Sequence, residues 1–182
     1  MTDITANDVL RFWFEDIEHV RWFKRDPNFD KELEQRFGGL LELASNDELE
    51  HWCDTPHGTL ALIIVLDQFS RNMFRDSPLS FANDSLALAL AQEAILLRAD
   101  KELSSVQRSI LYLPFMHSES LKIHEIAMLL YKENGIEANL AFEIKHKEII
   151  EKFGRYPHRN NILGRSSTKE EIEFLKQEGS SF

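Results

Sequence analysis

Leu60-Ala61-Leu62-Ile63-Ile64-Val65-Leu66 is an unbroken run of seven apolar residues that ends in a carboxylate, Asp67. It follows Thr55-Pro56, a start signal in which threonine caps and proline takes the first helical position. The β-branched Ile63-Ile64-Val65 also suits a buried strand. A lone strand has nothing to pair with, and no run of alternating apolar and polar residues occurs elsewhere in the chain. The stretch therefore reads as a helix that is apolar on every face, which belongs at the centre of a core. Asp67 continues the stripe of Leu60, Ile63 and Ile64, so its carboxylate sits at the polar end of a buried face.

Helical periodicity extends outward on both sides. A helix is expected from Thr5 to about Ile17, with Val9, Leu10, Trp13, Phe14 and Ile17 in one stripe. Asp26-Pro27 starts the next, which carries Phe29, Leu33, Phe37, Leu40 and Leu41 and is weakened by Gly38-Gly39. A short turn covers Asp47 to Trp52. Ser77-Pro78 opens a segment reaching about Arg98, and Ser104 or Ser105 caps a helix through Tyr112 that breaks or kinks at Pro114. Further helices run from about Ser118 to Glu133, from about Ile136 to Phe153, and from a capping box at Thr168 to near Gly179. Linkers are short except Arg155 to Ser167, a length without regular structure that is more often functional or disordered than neutral. Short linkers between sequential helices imply antiparallel hairpins stacked on one another, in a single all-α domain over residues 1–182.

The 182 residues suffice for a substantial core, and 43% hydrophobic content with 13 phenylalanines argues against disorder. A net charge of −10 argues against nucleic acid and anionic membranes as partners, since both select a basic footprint. No apolar run approaches the roughly 20 residues of a bilayer span. The first residues, Met1-Thr2-Asp3-Ile4, have no signal-peptide character. Cys53 is the only cysteine, so neither an internal disulfide nor a thiolate zinc site is expected, and the cytoplasm is the expected setting. Against this acidic background Arg155 to Arg165 holds three arginines, one histidine and no acid. The plainer reading of that reversal is a solvated loop.

Polar residues concentrate in three segments. In Asp67-Gln68-Phe69-Ser70-Arg71-Asn72-Met73-Phe74-Arg75, Arg71 reaches back to Asp67 if the helix continues. A buried carboxylate requires such a partner, and Asp67 is read as orienting an arginine rather than doing chemistry itself. In Leu113-Pro114-Phe115-Met116-His117-Ser118-Glu119, the trio His117, Glu119 and His124 raises a metal site. There is no HExxH, and residues two apart do not share a helix face. The favoured reading has no metal: Ser118 or Glu119 caps the next helix and His117 bonds locally. In Gly154-Arg155-Tyr156-Pro157-His158-Arg159-Asn160 and on to Arg165, forked guanidinium donors match carboxylate or phosphate oxygens. The same arginines serve equally well to tie a rigid loop to helix C-termini and acidic side chains.

These motifs, with Val9-Leu10-Arg11-Phe12-Trp13-Phe14, Trp22-Phe23 and Asn161-Ile162-Leu163-Gly164-Arg165-Ser166-Ser167-Thr168, resemble the bacterial domain-of-unknown-function family 924 over nearly the whole chain. The resemblance implies helical hairpins in an array similar to the tetratricopeptide-like superhelix. It brings no reaction and no assigned catalytic residues, but it does join the three segments as one site. One departure is Ser70, where the family more usually has proline, a change expected to loosen the turn.

The leading functional expectation is a pocket for a small anionic metabolite or anionic peptide group. Arg71, Arg75, Arg155, Arg159 and Arg165 supply charge, and Asn72, Asn160 and His158 orient the ligand. No cofactor is expected. The alternative is a hydrolase or transferase on a phosphate or acyl substrate, with His117 or His158 as general acid and base and Asp67 or Glu119 orienting it. No phosphate loop, GxSxG or dinucleotide fingerprint accompanies it. A third reading is an interaction module presenting Trp13, Phe14, Trp22 and Phe23, although their spacing reads first as core. The acidic stretches Asp30 to Glu34 and Glu170 to Glu173 read as solvated faces.

Overall fold

The computed structural model describes residues 4–181, and among them every regular element is helical. The reading of Met1 to Asp3 lies outside the described residues. Helix α1 (Ala6–Arg11) starts at a reciprocal capping box between Thr5 and Asp8 and runs on into a π-helical turn, Phe12–Asp16. In α2 (Pro27–Ser45) the Asp26 carboxylate accepts the amides of Asn28 and Phe29. This helix passes through Gly38-Gly39 without interruption, because Phe29, Leu33, Phe37, Leu40, Leu41 and Ala44 anchor one face in the core.

The apolar run is helical and central. Helix α3 (Pro56–Ile63) passes into a π-helical turn, Ile64–Phe69, and then α4 (Ser70–Met73). Residues 58 to 70 are all buried, with α1, α2, α5 and α6 packed around them. Gly58 is required at the entry, since a Cβ there would lie 2.0 Å from the carbonyl oxygen of Trp52. Around this axis lie α5 (Asp84–Leu96), α6 (Ser105–Leu111) and α7 (Leu113–Met116), with Pro114 in the first turn of α7 as the expected break. Ser77-Pro78 starts only the 3₁₀ turn Pro78–Phe81, so α5 begins later than expected.

Helices α8 (Leu121–Asn134) and α9 (Glu137–Phe153) pack along each other across a tight turn at Gly135-Ile136. Gly154 ends α9 with φ +69°, a left-handed position that releases the chain toward the core. The stretch after it is built rather than loose. It forms the 3₁₀ turn Pro157–Arg159, then turns that lead to α10 (Lys169–Phe174), capped as expected by Thr168 and Glu171. No helix among the described residues is long and apolar enough to cross a membrane. The aromatic motif near the N-terminus is mainly core: Trp13 and Trp22 are buried and stacked, Phe14 lies edge-on to Trp22, and only Phe23 is exposed.

Candidate functional site

The π-helical turn widens the central helix where its sequence becomes polar, a distortion often found at functional positions. Asp67, 1% exposed, gathers three donors there. Its Oδ1 lies 2.7 Å from His117 Nδ1 and 2.9 Å from an Arg71 terminal nitrogen, and its Oδ2 accepts Gln68 Nε2 at 2.5 Å. A carboxylate this deep is tolerable only because both of its oxygens meet donors. Arg71 donates to the Asp67 carbonyl at 3.2 Å and grips Asp84 with two parallel bonds of 2.8 and 3.0 Å.

Two other segments bring the remaining groups. Helix α7 is one turn long, so His117 leaves it immediately and its ring returns to Asp67, 50 residues away in sequence. Pro157 opens the turn that presents Arg159. Arg159 donates to the His117 carbonyl at 2.9 Å and to Asp84 at 3.4 Å. Its guanidinium lies 4.5 Å from the Phe81 ring centre and 4.7 Å from that of Tyr156, and Arg71 covers Phe81 at 5.6 Å. Asp67, Gln68, Arg71, His117 and Arg159 thus form one cluster, together with Asp84, Phe81 and Tyr156.

The other candidates lie elsewhere. Asn72 and Arg75 turn to the opposite side and hold Asp30 of α2, at 2.9 Å and at 2.5 and 3.0 Å respectively. Glu119 accepts the Tyr156 amide at 2.7 Å and both terminal nitrogens of Arg165, at 2.6 and 2.9 Å. Arg155 grips Glu171 at 2.7 and 2.9 Å, and Asn160 links Arg165 to Ser167 and Glu171. His158 lies against Tyr156 with ring centres 5.6 Å apart and planes tilted by 40°. The cap of α8 is Ser120 without a side-chain bond, so Glu119 is a cross-chain anchor instead of a cap, and His117 bonds at long range instead of locally. Asp30 and Glu171 are ion-pair partners rather than members of solvated faces. Ser70 does not loosen the turn: it is fully buried in helix, and its hydroxyl accepts Asn83 Nδ2 at 3.3 Å.

The sequence profile of a family described as a bacterial protein of unknown function, DUF924, matches residues 9–179. The chain belongs to this family. A solved protein of unknown function from Agrobacterium tumefaciens is similar in structure, with a TM-score of 0.89 and 37% identity over 94% of this chain and 96% of that one. No curated protein sequence matches the chain.

Within this family 924 fold, protonation follows from the surroundings. Burial opposes charge on Asp67, but Arg71, His117 and the bonds from His117 and Gln68 outweigh it and hold the carboxyl well below its usual range. Burial and the Arg71 charge push His117 below the ordinary histidine value, although Asp67 opposes them. Asp67 is therefore ionised and His117 neutral near pH 7. An ionised carboxylate can only accept, so His117 Nδ1 carries the hydrogen. Nε2, which hydrogen-bonds to none of the described residues, keeps its lone pair.

His124, fully buried, is committed elsewhere. Its Nε2 donates to the Ser118 carbonyl at 2.8 Å, and one proton lies between Nδ1 and Glu143 at 2.7 Å. Burial raises the Glu143 carboxyl. Two more histidines beside Tyr156 titrate low: burial takes His146 to about 3, and burial with Arg159 takes His158 to about 4. The unfolded chain binds these protons first, so stability is complete above about pH 6.5 and falls as pH drops toward the folded values. Between pH 6.5 and 5.5 the loss should reach about 1–2 kcal/mol, read from urea midpoints. His146→Asn with His158→Gln should flatten that slope, and an unchanged slope would remove these histidines as its cause.

Proposed function

We propose that the cluster is an acid–base site of a hydrolase or transferase whose substrate, a phosphate or acyl compound, carries an anionic group. The observation that carries this is the 2.7 Å Asp67–His117 contact, which puts the hydrogen on Nδ1 and the lone pair on Nε2. In this reading Nε2 takes a proton from water or a substrate hydroxyl as its oxygen bonds to the acyl carbon or phosphorus. The imidazolium then returns that proton to the departing oxygen, or to the sulfur of a thioester. Asp67 fixes the ring and balances the imidazolium, and Arg71 and Arg159 hold the substrate's anionic group beside it.

A five-arginine cationic pocket has less support. Arg75, Arg155 and Arg165 are spent on Asp30, Glu171 and Glu119 outside the cluster, and the two arginines within it, Arg71 and Arg159, share Asp84. Binding of an anionic ligand without chemistry is the runner-up, favoured by those two guanidiniums sharing one carboxylate. A tetratricopeptide-like superhelix and a cytoplasmic setting belong to the same proposal, supported respectively by the α8–α9 hairpin and the single cysteine.

The test is a screen of phosphoester, thioester and ester substrates against wild type and His117→Gln. Loss of turnover by on the order of 10²–10⁴-fold in the variant supports the reading. Turnover that survives the substitution, or no turnover on any substrate, sinks it.

A further inference from the structure

We infer that Asp84 occupies, in the resting protein, a subsite built for the carboxylate of a substrate, and that a ligand enters by displacing it. The inference rests on the cluster being a substrate site, and it adds the chemical class of the anionic group. Asp84 receives what a bound carboxylate would receive: a two-pronged grip from Arg71 at 2.8 and 3.0 Å and a longer bond from Arg159 at 3.4 Å. Both guanidiniums rest on Phe81, which fixes the plane of the clamp.

Three observations mark Asp84 as a replaceable occupant. First, its side chain is 23% exposed, against 1% for Asp67, so it has a route to solvent that Asp67 lacks. Second, the fit is incomplete. Arg159 is 6% exposed, and its buried Nε–H meets no acceptor among the described residues. A buried guanidinium donor left unmatched is costly, and a ligand oxygen arriving from outside would satisfy it. Third, Asp84 is the first residue of the 13-residue α5, whose N-cap Asn83 caps nothing and donates to Ser45 and Ser70 instead. The helix end therefore still favours an anion once Asp84 turns away.

Charge selects the class. With Asp84 withdrawn, two guanidiniums face one remaining carboxylate, Asp67, and a single negative charge restores neutrality. A carboxylate meets that requirement, whereas a phosphate dianion overfills it. The planar fork geometry also matches Asp84 itself, which is a carboxylate.

Acetate is the probe. Asp84→Ser empties the subsite, and sodium acetate at about ten times its half-saturating concentration should raise that variant's Tm by about 3 °C over sodium chloride of equal ionic strength. Wild type should respond much less, and Asp84→Ser with Arg159→Gln not at all. Equal responses to acetate and chloride would overturn the proposal, and a larger response to phosphate would overturn the carboxylate assignment. A second readout needs no variant fold. The Arg159 Nε–H resonance of wild type, assigned with Arg159→Lys, should move in acetate and stay in place in chloride. If Asp84→Ser does not fold, that titration decides alone, and an unmoved resonance ends the idea. His117→Gln separates the two readings. It should lose turnover yet keep the acetate shift of the Arg159 resonance, so a missing shift beside intact wild-type turnover removes the subsite only.

Discussion

Asp67→Ala is expected to lower the unfolding free energy by about 3–5 kcal/mol, because it strands buried donors that have no other acceptor. His117 Nδ1–H and Gln68 Nε2 lose their partner, and Arg71 keeps only Asp84 and a backbone carbonyl. The urea midpoint should fall with an unchanged m-value. Asp67→Asn, which keeps the shape and loses the charge, should recover part of the loss. A cost below about 1 kcal/mol would mean that Asp84 alone balances Arg71 and that Asp67 anchors little. If the cluster turns over a substrate, the same variants should cut kcat by on the order of 10³–10⁴-fold, since the His117 ring loses its tautomer and orientation.

The second large effect falls far from Asp67 in sequence. Glu171→Ala should cost about 3 kcal/mol, because one side chain satisfies Arg155 twice, Asn160 once and the Thr168 amide. Glu171 is covered by these partners, and the Arg155 bond leads the effects that hold its carboxyl down to about 2. Without it, the segment from 155 to 167 loses its tie to α10. Amide exchange should rise there while α2 and α3 stay protected. Arg159 lies within that segment, so the acetate response should weaken as well. Unchanged exchange would show that the Glu119–Arg165 pair holds the segment without help.

Several features were legible from local chemistry. The start signals at Thr55-Pro56 and Asp26-Pro27 and the capping box at Thr168 each depend on residues within a few positions, and each caps a helix as expected. Asp67 needed a partner because its stripe was buried, and Arg71 at i+4 is one. The π-helical widening left no such signal, since a hydrogen-bond ladder shifted by one residue has no composition of its own.

The carboxylates were harder to read. Asp30, Asp84 and Glu171 sit in stretches that look like ordinary solvated or first-turn acids, and their partners lie 45, 13 and 16 residues away. A surface acid and an ion-paired one have the same letter. Only packing decides which guanidinium comes within reach and how much water is excluded.

By itself the sequence determined an all-helical chain with the run from Leu60 to Leu66 at its axis, because periodicity and capping are local and an apolar helix has nowhere else to go. Tertiary structure decided which polar residues form one cluster. It brought Asp67, His117 and Arg159 together, added Asp84, and sent Arg75, Arg155 and Arg165 to carboxylates of their own. The physical reason is that guanidiniums and carboxylates pair by proximity in space, and proximity across 40 to 75 residues is set by how the helices pack.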